Sequence, residues 1–224
     1  MTFSITARCA ETGMFGVAVS SSSPAVAARC AHARAGVGAV ASQNVTDPAL
    51  GPKTLDLLER GASATEAIAI IQRTAPHAEF RQITAVDRMG QSAIFSGANT
   101  LGTYAETVRE NLVCAGNLLA SEQVTSAMAD TFQDTPGHLG DRLLAAMQAA
   151  LDAGGEEGPV HSAGMRIHHE TSFPLVDLRC DWSEDCPIAA LRTAWSVYKP
   201  QMNDYVTRAL DPTMAPSYGV PGDD

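Results

Sequence analysis

The sequence opens Met1-Thr2, so a residue with a hydroxyl group follows the first methionine directly. Removal of Met1 would leave a hydroxyl and a primary amine on one residue. An α-amino group has an ordinary pKa of about 7.7 to 8.0, which suits a general base near neutral pH. Thr2 would then combine the nucleophile and the base of an acyl-transfer reaction. Threonine is also a common strand residue, so a structural role for Thr2 stays open.

Three side-chain amides stand at the ends of predicted strands: Asn117, Gln43 and the adjacent Asn44. An amide N–H at such a place can donate to the oxyanion of an acyl-transfer reaction, and one such donor is typically worth about 10² to 10³ in rate. Asparagine also forms turns, and a turn is at least as good an interpretation for Asn44, which precedes Asp47-Pro48. We therefore assign oxyanion stabilisation to Asn117 first, with Gln43 and Asn44 in support.

Arg29 and Arg34 lie in an otherwise uncharged segment between the second and third predicted strands. Either could bind a substrate carboxylate through two hydrogen bonds or depress the pKa of a neighbouring amine, and a structural ion pair is equally consistent. Ser21 lies in a run of four serines that ends the second strand. If the first two strands form a hairpin, Ser21 lies beside Thr2 and can donate to the site, although hydration of a turn is the commoner role for such serines.

The segment from His161 to Glu170 contains residue types that bind metals. If it forms one strand, His168 and His169 point to opposite faces, and His161 lies about 26 Å from His169, so these side chains cannot share one ion. The five cysteines contain no C-x-x-C pair, and Gly36-Val37-Gly38 lacks the third glycine of a nucleotide-binding loop. We expect neither a metal nor a cofactor.

The composition argues against several classes of protein. Fifteen basic and 25 acidic residues give a net charge of −10 without a basic cluster, so we expect no binding to nucleic acid. The most apolar stretch, 25–41, is interrupted by Arg29, His32 and Arg34, so we expect no membrane span. The first residues alternate polar with apolar and carry no leading positive charge, which argues against a secretory signal and favours a cytoplasmic location.

Hydrophobic periodicity predicts strands in hairpins and helices in pairs, in the order ββ–β–αα–ββ–β–αα–ββ–α. Ser63 and Glu66 form a capping box at the start of the second helix. This order does not suit a doubly wound parallel sheet, but it suits two stacked antiparallel sheets with helices outside. We predict an α+β fold, a four-layer αββα sandwich, in one domain over 1–211 with a Pro- and Gly-rich tail over 212–224.

Four short motifs in a fixed order resemble a known bacterial family. They are Thr2-Phe3-Ser4-Ile5, the run 33–43, the Pro48–Pro52 turn before a Leu-Asp-Leu-Leu helix, and Gly116-Asn117-Leu118-Leu119. Over roughly residues 2–200 the chain resembles domain of unknown function 1028, a family grouped by fold with the N-terminal-nucleophile (Ntn) hydrolases. The resemblance implies an Ntn-hydrolase-like fold. It also implies a role for Thr2, because Ntn hydrolases place a Thr, Ser or Cys at the free start of the first strand.

Two places depart from the pattern of that family. One is the run 95–100, and the other is His161, where a glutamine is common. Both lie where side chains could reach a cleft, so we expect the substrate to differ from that of close relatives.

Two functions of different classes fit these observations. The first is an Ntn-type amidohydrolase for a small amide, ureide or cyclic imide, in which Thr2 attacks the carbonyl and its amine passes the proton to the leaving nitrogen. The second is a catalytically silent Ntn-fold protein that binds a small metabolite or a partner subunit. The state of Met1 discriminates between them, because a retained Met1 turns the amine of Thr2 into an amide. A metal-dependent hydrolase ranks far lower, and homo-oligomerisation stays open.

Overall fold

The computed structural model describes residues 1–220, which contain ten strands and seven α-helices. The strands are β1 (Thr2–Arg8), β2 (Phe15–Ser21), β3 (Ala31–Arg34), β4 (Gly38–Asn44), β5 (Arg81–Asp87), β6 (Ser92–Ser96), β7 (Ala105–Arg109), β8 (Leu112–Asn117), β9 (Ser162–His168) and β10 (Val176–Cys180). The helices are α1 (Ala27–Cys30), α2 (Leu50–Glu59), α3 (Ala64–Thr74), α4 (Gln123–Asp134), α5 (Leu139–Asp152), α6 (Pro187–Tyr198) and α7 (Met202–Leu210). Across these described helices, none has the length and apolar character that a membrane span requires.

The strands pair antiparallel and form two sheets. The first sheet has the order β10-β9-β2-β1-β8-β7, and the second has the order β3-β4-β5-β6. One hydrophobic core joins the first sheet to α4, α5 and α6, and includes Phe3 and Leu143. Another joins the second sheet to α2 and α3, and includes Ile83 and Leu55. The predicted four-layer αββα sandwich of two antiparallel sheets is therefore confirmed.

Side chains of β1 alternate between two different environments. Phe3 is fully buried in the core beneath the helices. Ser4 faces the second sheet, where its Oγ donates to Gln43 Oε1 at 2.6 Å. Since successive side chains of a strand point to opposite faces, Thr2 shares the face of Ser4 and lies between the sheets.

The space between the sheets is apolar beside β2 and polar beside β1. Phe15, Val17 and Val19 of β2 form a buried cluster there with Ala39 and Ala41 of β4. Beside β1 the buried groups are hydroxyls and amides, since Thr6 bonds to Thr84 at 2.6 Å and Ser4 bonds to Gln43. The position of Thr2 therefore coincides with the polar part of the interior.

Strand register brings four strand ends to one edge of the first sheet. Thr2 pairs with Asn117, and Ser21 pairs with Ser162. The starts of β1 and β9 therefore lie beside the ends of β2 and β8.

The predicted order of elements differs from the structure in three places. The prediction left the segment that contains α1 and β3 unassigned, it did not include β7, and it counted one C-terminal helix where the structure has α6 and α7. Strand β3 has only four residues, and β7 is an edge strand that exposes Glu106 and Val108. The four residues of β3 alternate in burial but are too few to form a recognisable pattern, and β7 places Val108 on its exposed face, so the apolar pattern of neither segment predicts a strand. Both lie at sheet edges, so the layers are unchanged.

The predicted C-terminal tail, 212–224, begins with a short 3-10 turn at Pro212–Met214. Arg208 Nη2 donates to the carbonyl oxygen of Pro216 at 2.9 Å, so α7 contacts the segment that follows it. Residues 221–224 of the predicted tail lie outside the described residues.

We expect Asp87→Ala to lower the free energy of unfolding by about 2 to 4 kcal/mol, because three backbone donors lose their acceptor. Asp87 is 4% exposed; its Oδ1 accepts from the N–H groups of Met89 and Gln91, and its Oδ2 accepts from that of Ala64 at the start of α3. Urea unfolding measures the loss. The exposed Asp134→Ala is the control and should stay within about 0.5 kcal/mol of wild type, whereas equal losses would contradict this role of Asp87.

Candidate functional site

Thr2 begins the strand that lies between β2 and β8 in the middle of the six-stranded sheet. The residue is only 5% exposed. Its hydroxyl donates to the carbonyl oxygen of Met1 and lies 3.4 Å from Ser21 Oγ. The hydroxyl of Thr2 is therefore buried where β1 begins, next to the carbonyl group of Met1.

Ser21 ends β2 and is almost fully buried. Its hydroxyl also donates to the Met1 carbonyl oxygen, and its Oγ accepts the N–H of Ser23 at 3.0 Å. The hairpin of β1 and β2 brings Ser21 to Thr2 in this way. Two hydroxyl groups consequently converge on one carbonyl oxygen at the start of β1.

Asn117 lies directly opposite Thr2 in the neighbouring strand and is fully buried. Its Nδ2 donates to Gln82 Oε1 at 3.2 Å. Its Oδ1 has no hydrogen-bond partner among residues 1–220. A buried acceptor without a partner is costly, so Asn117 marks a place where a further donor can bind.

Gln82 sets the direction of the buried amides. Its Nε2 donates to the carbonyl oxygen of Gly116 at 3.3 Å and to Ser96 Oγ at 2.9 Å. Its Oε1 then faces Gln43 and Asn117 and accepts from both, at 2.7 Å from Gln43 Nε2. Since a backbone carbonyl can only accept, the orientation of all three amides is fixed.

Sequence analysis missed Glu156, which is only 4% exposed. Its backbone pairs with Leu119 in an isolated β-bridge, and its Oε2 accepts the N–H of Ser22 at 3.2 Å. Its Oε1 has no partner within the described part of the chain. The carboxyl therefore lies between the segments that follow β2 and β8, the two neighbours of β1.

Burial raises the pKa of the Glu156 carboxyl to about 7. The Met1 α-ammonium, hydrogen bonding from Ser22 and the charge of His161 act in the opposite direction and lower that pKa. A buried acid that exchanges its proton near neutral pH, with a free oxygen, is typical of functional sites.

An aromatic pair lies at the same edge. His161 donates its backbone N–H to the carbonyl oxygen of Ser21 at 2.8 Å, and its Nδ1 lies 2.8 Å from the carbonyl oxygen of Ser183. Its ring stacks on Trp182 with centroids 4.4 Å apart, and Trp182 is half exposed. The departure from the family pattern at position 161 therefore lies next to Ser21.

Asn44, one of the three predicted amides, has a different environment. Its backbone is left-handed, with φ of 70°. Its Nδ2 donates to the carbonyl oxygen of Phe80 at 2.7 Å, and its Oδ1 accepts the N–H of Leu101 at 3.3 Å. The contacts of Asn44 therefore join loops and do not include Thr2.

The two predicted arginines also make structural contacts. Arg29 donates to two backbone carbonyls in the turn before α1. Arg34 forms ion pairs with Asp56 at 2.9 Å and Glu59 at 2.6 Å, both on α2. These contacts do not bring either arginine to Thr2.

The histidines examined as metal ligands are separated in the fold. His161 lies beside Ser21, whereas His168 pairs with Phe15 at the other end of β2. Burial and the charge of Arg166 lower the pKa of His168 to about 4, so this imidazole is neutral at physiological pH. Over residues 1–220, no three His, Cys, Asp or Glu side chains are close enough to hold a metal ion.

The site thus assembles the hydroxyls of Thr2 and Ser21, the buried amide of Asn117 and the buried carboxyl of Glu156. The nitrogen of Thr2 is an amide while Met1 is attached, and an amide nitrogen has no useful basicity. Removal of Met1 would supply a basic amine and vacate the space that the Met1 carbonyl occupies. The geometry therefore suits acyl-transfer chemistry after processing.

Comparison with known proteins gives a family and one close structural match. A model of the family of unknown function DUF1028 matches residues 2–191. The crystal structure of protein SPO2555 from Silicibacter pomeroyi, assigned to the same family, is 30% identical, with a TM-score of 0.82 over 88% of this chain and 89% of that chain. A comparison with curated proteins gives no match.

Two further solved structures are similar at low identity. The Anbu Gly-1 mutant from Hyphomicrobium sp. strain MC1 is 12% identical, with a TM-score of 0.44 over 90% of this chain and 96% of that chain. HslV from Trypanosoma brucei is 13% identical, with a TM-score of 0.42 over 75% of this chain and 98% of that chain.

We expect Glu156→Gln to stabilise the protein at pH 8 and to have little effect at pH 4.5. The pKa of Glu156 is raised from 4.5 to about 7 in the fold, so the stability that depends on the protonated acid is complete below pH 4.5. It is lost as the pH rises through 7, and the ionised carboxylate then costs on the order of 2 to 3 kcal/mol that glutamine avoids.

Urea unfolding from pH 4.5 to pH 8 measures this difference. Glu157→Gln is the matched control, because Glu157 is the neighbouring acid and is exposed. A pH-independent difference between wild type and Glu156→Gln, or an equal pH dependence in the control, would contradict the assignment.

Proposed function

The chain belongs to the family of unknown function DUF1028, and we propose that it is an Ntn-type amidohydrolase that cleaves a small amide, ureide or cyclic imide with Thr2 as nucleophile. One observation carries the proposal: the hydroxyls of Thr2 and Ser21 both donate to one carbonyl oxygen at the buried start of the central strand. A substrate carbonyl in that place lies next to a nucleophile and is polarised by a donor.

The reaction begins after removal of Met1. Thr2 Oγ1 forms a bond to the substrate carbonyl carbon, its proton passes to the α-amine of Thr2, and the carbonyl electron pair moves onto oxygen. When the C–N bond breaks, the leaving nitrogen takes the proton from the ammonium, and the acyl group remains on Thr2 as an ester. Water, activated by the same amine, then cleaves the ester, releases the acid and restores Thr2.

The oxyanion of this reaction needs hydrogen-bond donors. Ser21 supplies the first, since its hydroxyl already donates to the Met1 carbonyl oxygen. Asn117 supplies the second in this proposal, because its Nδ2 carries two N–H groups and Gln82 accepts one of them. Gln43 supports the oxyanion indirectly, because it donates to the same Gln82 Oε1 as Asn117 and helps to hold Gln82 in place.

A catalytically silent binding protein is the second candidate, and the environment of Met1 favours it. While Met1 is attached, the Thr2 hydroxyl is engaged by the Met1 carbonyl, and 5% of Thr2 is exposed. In that state the chain has the fold of the proposed hydrolase but lacks its basic amine. The state of residue 1 in the cell therefore decides between the two functions.

Removal of Met1 and the requirement for Thr2 form one prediction. Intact mass spectrometry of protein expressed without an N-terminal tag should show a chain that begins at Thr2. In a screen of small amides, ureides and cyclic imides, Thr2→Ala should abolish hydrolysis because the nucleophile is missing. Thr2→Ser keeps the hydroxyl and the amine and should retain measurable activity. Full retention of Met1 in active protein, or full activity of Thr2→Ala, would exclude the Ntn mechanism and leave only a hydrolase of another kind or the binding function.

Ser21→Ala should lower kcat by about 10² to 10³ with a smaller effect on KM, because the variant loses an oxyanion donor and no nucleophile. Steady-state kinetics on any substrate from the screen measures both constants. The control is Ser126→Ala on the exposed face of α4, which should match wild type. An unchanged kcat in Ser21→Ala would remove Ser21 from the oxyanion site.

A further inference from the structure

The proposed hydrolytic steps do not involve Glu156. Its carboxyl is 4% exposed, one oxygen is held by the N–H of Ser22, and the other oxygen has no partner among residues 1–220. A buried carboxylate is unfavourable unless a cation or several N–H donors compensate it. No lysine or arginine within the described residues forms an ion pair with Glu156. The free oxygen is therefore a vacant acceptor for a positively charged group.

The positive charge that acts on this carboxyl is the α-ammonium group of Met1, which lowers the pKa of Glu156 but forms no ion pair with it, so Oε1 stays vacant while Met1 is attached. The segment around Glu156 is fixed in place, since the N–H of Glu157 donates to the carbonyl oxygen of Leu118 at 3.1 Å. A Cβ on Gly158 would lie 3.6 Å from Met1 Cε, so the same segment covers the Met1 side chain.

Met1 therefore occupies three subsites at once. Its α-ammonium group acts on Glu156 through its charge without a direct ion pair, its carbonyl oxygen accepts from Thr2 and Ser21, and its side chain lies against Gly158. One carbon atom separates the nitrogen from the carbonyl carbon, as in every α-amino acid. Removal of Met1 vacates all three subsites together.

We propose that the acyl part of the substrate fills these subsites, so that the substrate is an amide of an α-amino acid whose free α-ammonium group binds Glu156 Oε1. This inference rests on the proposed function and specifies its substrate class. Transfer of the aminoacyl group to Thr2 Oγ1 releases an amine or ammonia. Hydrolysis of the resulting ester releases the free amino acid.

Binding tests the inference without any turnover. The protein is prepared by cleavage of a removable fusion partner, so that it begins at residue 2, and it carries Thr2→Ala. The probes are L-methioninamide, N-acetyl-L-methioninamide and 4-(methylsulfanyl)butanamide, which lacks the amino group. Calorimetry at pH 7 should show that L-methioninamide binds at least tenfold more tightly than the other two. Equal affinities, or no binding of L-methioninamide, would overturn the inference.

Glu156→Gln in the same background keeps an acceptor for Ser22 and removes the charge. It should weaken the binding of L-methioninamide at least tenfold and leave the affinity for 4-(methylsulfanyl)butanamide unchanged. The exposed control Glu157→Gln should change neither affinity. An equal loss for all probes would mean that Glu156 only shapes the site, which also overturns the inference. The comparison of probes with Glu156 intact decides the matter even if Glu156→Gln does not fold.

The two proposals fail in different ways. If no amide is hydrolysed while L-methioninamide binds through its ammonium group, the proposed hydrolase fails and the aminoacyl subsite stands. If Thr2-dependent hydrolysis is found but amino acid amides have no advantage over their amine-free analogues, the hydrolase stands and this inference fails.

Discussion

Strand β1 must satisfy two different environments, and the period of two in its side chains is the constraint on which the site depends. Phe3 and Ile5 are buried in the apolar core beneath the helices, while Ser4 bonds to the second sheet. A shift of one residue would place hydroxyls beneath the helices and aromatic groups in the polar layer, so the register is strongly specified. With the register fixed, Thr2 can only lie opposite Asn117 and beside Ser21.

The amide side chains between the two sheets are also held in one arrangement. Gln82 donates to a backbone carbonyl, and that bond fixes which way its side-chain oxygen points. Gln43 and Asn117 must then both present N–H groups to Gln82. The free oxygen of Asn117 is the consequence of this arrangement. In a low-dielectric interior such a network is rigid because each reversal would leave another amide unpaired.

The parts of the site that follow from local pattern could be predicted from sequence. Alternation over 2–9 and 15–19 predicts a hairpin, and hairpin geometry alone brings Ser21 to Thr2. Asn117 is more distant along the chain, and its residue type at a strand end indicated its place. Glu156 could not be found in this way, because its burial comes from a bridge to Leu119 and a bond to Ser22, both made by tertiary packing.

Charge was the least informative of the signals. Arg34 lies in an uncharged segment, and a substrate carboxylate and an ion pair were equally good interpretations, but the sequence does not show that α2 presents Asp56 and Glu59 to it. Short and exposed strands are also difficult to predict, because contacts with other elements determine their conformation. Strand β7 has no buried face of its own, and its pairing with β8 sets its conformation.

In our proposal, Met1 controls both access to the site and the formation of its basic amine. While it is attached, it engages the hydroxyls of Thr2 and Ser21, and its amino group acts on Glu156. The polar groups that would otherwise be buried without partners are thus partly satisfied by the chain itself, which lowers the cost of folding around an incomplete site. Removal of one residue would then expose these groups and create a basic amine in the same event. In our proposal the site therefore becomes accessible only when the basic amine of Thr2 has formed. The protein does not need a stable closed form in which the Thr2 nucleophile is already free.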